Sequence, residues 1–69
     1  MITVRDLKEF LKDIPDDYLV IFSKDAEGNI FSPMSKEVLL GKYAPETKWF
    51  GDFEEDSDNA TSIAIFPIG

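Results

Sequence analysis

Apolar residues recur at three- and four-residue steps near the start of the chain: Val4, Leu7, Phe10, Leu11 and Ile14, with Arg5, Lys8, Glu9, Lys12 and Asp13 between them. That spacing puts one side of a helix against apolar neighbours and the other in water. Thr3 is placed to cap the helix, Asp6 stands at the third helical position as an acidic variant of the capping box, and Ile2 can staple onto Leu7. Pro15 pushes Ile14 out of the helical region, so the helix is predicted to stop near Asp13, with a turn over Pro15-Asp16-Asp17.

Beyond the turn the pattern shortens to the period of strands. Tyr18 to Ser23 is a β-branched and aromatic run bounded by turn residues, and reads as a first strand. Lys24 to Asn29 supplies Gly28 for a left-handed position and leads into Ile30-Phe31-Ser32, a hairpin partner that Pro33 should end. Lys36 to Tyr43 forms a third strand around Val38, Leu39 and Leu40, with Gly41 at its end or at a bulge. Residues 44–59 read as a long loop, and Ala60 to Phe66 as a last strand that Pro67 confines to an edge or a terminus. The expected fold is α+β in a single domain over residues 1–69: one N-terminal helix packed on a four-stranded, mostly antiparallel sheet, in the order α-β-β-β-β.

This layout carries an imbalance. One helix covers one sheet face, yet alternation in the first strand puts Leu19 and Ile21 on one side and Tyr18, Val20 and Phe22 on the other. The second face needs a cover: Trp49, Phe50 and Phe53 folding back from the long loop, a second copy of the chain, or a foreign protein.

Composition narrows the possibilities. At 69 residues the chain buries only about 60% of the surface that its unfolded form exposes. It has no cysteine and no histidine, so neither disulfides nor a structural zinc site can make up the deficit. Fourteen acidic against seven basic side chains leave a net charge of −7, which disfavours nucleic-acid phosphates and anionic membrane surfaces as partners. No apolar run has the roughly 18 residues needed to cross a bilayer, and the first residues lack a secretory signal pattern, so the expected location is cytoplasmic. Without Cys, His, a glycine-rich phosphate loop or a nucleophile elbow, the usual tools of nucleophilic catalysis and nucleotide binding are missing, and the chain reads as non-enzymatic, with no cofactor.

The conspicuous constellation is Gly51 to Asn59, preceded by Trp49-Phe50 and holding Asp52, Glu54, Glu55, Asp56 and Asp58. Mutual repulsion makes such a tract a solvated loop by default. If extended, it presents Asp52, Glu54, Asp56 and Asp58 along one edge, about 6.6 Å apart. That spacing admits three uses: contact with a basic protein surface, with Trp49 as an aromatic anchor; mimicry of nucleic acid, for which four charges are too sparse without help from Asp16, Asp17, Asp25 or Glu27; and weak calcium binding. The last lacks the rest of an EF-hand loop, because Ser57 occupies the position of the turn glycine and Ile63 that of the bidentate glutamate.

Thr3-Val4 with Leu7 and Leu11, Pro15-Asp16 before a β-rich strand, Asp25 to Asn29 with its Glu-Gly turn, and an acidic tract running into Asn59-Ala60 and a terminal strand closed by Pro67 give the chain a resemblance to small proteins of tailed phages and their prophages. The resemblance implies phage origin, location in the host cytosol, and an accessory role in which the protein binds a host or defence factor; it assigns no catalytic or binding residue. The expectation is therefore a non-enzymatic binding protein, in its most specific form an inhibitor, whose contact residues are Trp49, Phe50, Asp52, Glu54, Glu55, Asp56 and Asp58 and whose partner is a host protein with a basic surface. The rival expectation is a self-associating homodimer, and calcium binding ranks third.

Overall fold

The computed structural model describes all 69 residues and contains one helix, α1 (Val4–Leu11), followed by strands β1 (Ile21–Ser23), β2 (Phe31–Pro45), β3 (Gly51–Glu55) and β4 (Ser62–Pro67), an α+β fold in the order α-β-β-β-β. The helix starts as its sequence requires. Thr3 Oγ1 accepts from the Asp6 amide at 3.2 Å, and Asp6 Oδ2 accepts from the Thr3 amide at 3.0 Å, closing a capping box. Its last residue is Leu11, with Lys12 as the C-cap, two residues before the predicted stop near Asp13.

All strand pairing is antiparallel, and β2 takes part in all of it. At Pro33 and Met34 this strand is flanked by β1 and by the end of β4; at Gly41 it is flanked by β3 and β4. Two partners at one position must take opposite edges. Thus β4 runs along one edge of β2, while β1 and β3 follow one another along the other.

The number of strands agrees with expectation, but two strands are composed differently. The predicted second and third strands are one, β2, which passes through Pro33 instead of ending there. The Pro33 carbonyl accepts from the Ile68 amide at 3.0 Å, so its ring nitrogen faces β4 at the last rung of that ladder, where only one bond is forgone. Gly41 lies inside β2 and not at its end. The fourth strand comes from the tract expected to be loop: residues 44 and 45 finish β2 and Gly51–Glu55 form β3, leaving only 46–50 and 56–61 as connections. Phe53 explains this. Its ring lies over Gly41, where an added Cβ would sit 2.7 Å from Phe53 Cζ, and the Tyr43 hydroxyl takes the matching position over Gly51. Each glycine lets the backbone of the neighbouring strand come close, the Glu54 carbonyl at Gly41 and the Ala44 carbonyl at Gly51, and leaves room for an aromatic beside it. Pairing of β1 covers only Ile21–Ser23 of the predicted Tyr18–Ser23, and on its other edge β2 shifts register against β4 between Met34 and Val38.

Cross-strand partners share a face. One face of the sheet carries Leu39, Gly41 and Tyr43 of β2, Phe53 of β3, and Ser62 and Ala64 of β4, all buried or half-buried. The opposite face carries Val38, Leu40 and Lys42 of β2, Ile63 and Ile65 of β4, and Asp52 and Glu54 of β3, all exposed. Val4 at the start of the helix, with Met1–Thr3 before it, lines a cleft together with sheet residues, and the helix stripe of Leu7, Phe10 and Leu11 stays exposed. Only Ser32 and Gly41 are buried, and no apolar side chain is.

Candidate functional site

The β2–β3 hairpin ends in a tip fixed by its own hydrogen bonds. The amides of Glu46 and Thr47 both donate to the Phe50 carbonyl, at 3.1 and 3.0 Å. Thr47 Oγ1 in turn accepts from the amides of Trp49 at 3.0 Å and Phe50 at 3.3 Å. A threonine hydroxyl bonding to the amides that follow it is a local turn device, and here it sets the direction of the chain at the aromatic pair. Trp49 projects from that tip 82% exposed, with Lys48 Nζ 4.8 Å above its ring, and Phe50 is exposed beside it. The expectation that these two rings fold back over the sheet is not met: of the three aromatics in this stretch, Phe53 alone covers a face.

The carboxylates are not gathered along one edge. Asp52 and Glu54 project from the exposed face of β3, and Glu55 belongs to the other face. Asp56 is half-buried and organises the backbone around it. Its amide donates to the Leu40 carbonyl at 3.0 Å, and its Oδ1 accepts from the Asn59 amide at 3.2 Å. That turn ends the extended stretch and separates Asp58 from Asp52 and Glu54. No group of three or more acidic side chains is placed to hold a metal ion, so the geometry does not assemble the calcium site weighed from the spacing.

Two carboxyls elsewhere are held below their ordinary value of 3.8. The Thr3 backbone amide, and secondly its hydroxyl, stabilise ionised Asp6. For Asp25 the first cause is the Asn29 backbone amide, with smaller help from the amides of Gly28 and Glu27. Asp25 Oδ1 accepts from Glu27 and Asn29 at 3.0 and 3.1 Å, organising the β1–β2 turn in which Gly28 takes a φ of +75°. Both carboxyls serve local structure.

A feature that sequence reasoning missed is the divided exposed face. Val38 pairs with Ile65 and Leu40 with Ile63, so four aliphatic side chains, each 39–44% exposed, form one apolar patch over β2 and β4. Asp52 and Glu54 form the acidic part over β3, with Lys42, paired to Glu54, at the boundary. Alternation along both strands contained this signal, but the pairing of β2 with β4 was needed to place the four residues together. At the margin of the patch a cleft of about 300 Å³ separates Val4 from Leu40 and Ile63. A larger one, about 630 Å³, lies where Met1–Val4 approach Tyr43, Phe53 and Ala64 on the other face. No helix is long and apolar enough to cross a membrane.

No known protein family matches this chain, and neither does any curated protein or solved structure.

Proposed function

We propose that this protein acts by binding another protein, with the β2–β3 hairpin as its contact element. The observation that carries this is the fixed tip. Trp49 is almost wholly exposed while its backbone is already ordered by Thr47, so binding would gain a large aromatic contact without a large ordering cost. Phe50 extends the aromatic surface, Asp52 and Glu54 continue it along β3, and Glu55, Asp56 and Asp58 add to the negative field, a combination suited to a partner with a basic rim and an apolar recess. Following the resemblance to tailed-phage accessory proteins, that partner is a host or defence protein in the bacterial cytosol, inhibited by the contact. Trp49→Ala should then weaken capture of the partner from host lysate by about 30-fold or more, as loss of a tryptophan hot spot does. Joint neutralisation by Glu54→Gln, Glu55→Gln, Asp56→Asn and Asp58→Asn weakens it further, and the effect of neutralisation shrinks as salt rises. Capture left intact by both variants at low salt contradicts the proposal.

A second reading, self-association, is favoured by a separate observation. The chain exposes 6355 Å², whereas a compact monomer of 7.8 kDa exposes about 4,400 Å². Much of what is exposed is apolar, the sheet patch and the helix stripe included, and a second copy would cover part of it.

A further inference from the structure

We propose, resting on the hairpin reading above, that the partner contributes an extended segment with basic residues at alternate positions, which adds as a further antiparallel strand to the free edge of β3. The backbone of β3 decides which groups that edge offers. On the side of β2 the Asp56 amide donates to the Leu40 carbonyl at 3.0 Å, and the Glu46 amide to the Phe50 carbonyl at 3.1 Å. Both bonds continue the β2–β3 register, in which Lys42 is opposite Glu54 and Ala44 opposite Asp52. Hydrogen-bonded pairs alternate with non-bonded ones in an antiparallel ladder. Asp52 and Glu54 therefore turn their amides and carbonyls to β2, and Gly51, Phe53 and Glu55 turn theirs outward. No backbone bond from a turn or loop reaches any of these three, and β3 pairs only with β2. A row of unpaired amides and carbonyls at two-residue spacing is what strand addition requires.

Charge selects the occupant. Asp52 and Glu54 share the exposed face of the sheet, and neither is neutralised: the one salt bridge of the molecule joins Lys12 to Glu9, and Lys42, although opposite Glu54, forms none with it. Against an added strand both acids occupy non-hydrogen-bonded positions, where facing Cα atoms are about 4.5 Å apart and side chains are closest. Lys or Arg at those two positions meets each carboxylate. The residue between them lies opposite Phe53, on the half-buried face, where an apolar side chain suits its ring. The recognised segment thus reads basic, apolar, basic. A second copy of β3 does not fit, because antiparallel pairing would set carboxylates against carboxylates. The other edges carry no such selection: β1 has three residues, and β4, from Ser62 to Pro67, has no charge. The net charge of −7 adds attraction at long range.

The test is an NMR titration of the isotope-labelled full chain with a synthetic end-capped peptide, Thr-Lys-Val-Lys-Val-Lys-Thr, in about 0.05 M salt. Expected is new exchange protection at the amides of Gly51, Phe53 and Glu55, with little change at Asp52 and Glu54, whose amides already bond to β2. N-methylation separates strand addition from attraction between charges alone. With lysines opposite the two acids, the valine amides face β3, so methylating both should weaken binding on the order of 10-fold or more. Methylating two lysine amides, which point away, should leave binding in place. Asp52→Asn with Glu54→Gln, both at exposed positions, should weaken binding by about 5-fold, and by less as salt rises. Equal binding by the two methylated peptides overturns the proposal, as does protection that arises elsewhere on the chain or no binding at low salt. The hairpin reading fails separately: capture from host lysate that depends on Trp49, beside a peptide that does not bind, leaves the hairpin as the contact element and removes only the added strand.

Discussion

Single residues decide where strands can meet. Gly41 and Gly51 each receive an aromatic ring from the adjoining strand, Phe53 over the first and Tyr43 over the second. A side chain at Gly41 would run into the Glu54 carbonyl as well as Phe53, so Gly41→Ala forces β3 away from β2. The expected cost is about 1–3 kcal/mol, the usual range for overpacking, read as a lower urea midpoint together with loss of amide-exchange protection in Gly51–Glu55. An unchanged midpoint would show that the Phe53 ring does not lie there. Asp6 works on the same scale through charge. Its carboxyl is more acidic in the folded chain because ionised Asp6 accepts from Thr3, so its contribution is complete above the ordinary value of 3.8 and is lost as the pH falls through the lowered folded value. The stability difference between the natural chain and Asp6→Asn should therefore close on titration from about pH 5 to about pH 2. A gap independent of pH in chemical denaturation would mean that the charge of Asp6 contributes nothing to the capping box.

At the level of elements, the helix was legible because its cap, its periodicity and its proline stop are all local. The final strand was legible for the same reason, a β-branched run, although it begins at Ser62 instead of Ala60 and takes in Pro67 as its last residue. The middle of the sheet was not. Pro33 reads as a terminator until its position at the end of the β4 ladder shows which bond it forgoes. The acidic tract reads as loop until Phe53 is seen to match Gly41, a correspondence between separate strands that local propensity does not record. The candidate site divides along the same line. Trp49 stood out by composition, yet what makes it a ready contact is Thr47, an ordinary residue whose hydroxyl holds two amides. The row of carboxylates was inferred from spacing alone, and the Asp56–Asn59 turn dissolves it after Glu54. The need for a cover on the second sheet face was visible from alternation in the first strand, although the patch that makes the case lies on β2 and β4.

At the scale of the whole molecule, the chain is loosely closed. Its radius of gyration is 13.4 Å, against about 11 Å for a compact domain of this length, and no apolar side chain is buried. A chain of 69 residues without disulfide has little stability to spare, so a fold that leaves its helix stripe and one sheet face in water gains most by burying them together.

The most direct measurement is an isotope-filtered NOE experiment on the labelled chain bound to its unlabelled partner, which records only contacts between the two molecules. Contacts from Trp49, Phe50 and the residues of β3 are the predicted result. A well-resolved spectrum in which the contacts come from Val38, Leu40, Ile63 and Ile65 instead would contradict the hairpin, and the same contacts in a mixture of labelled and unlabelled chains alone would favour self-association.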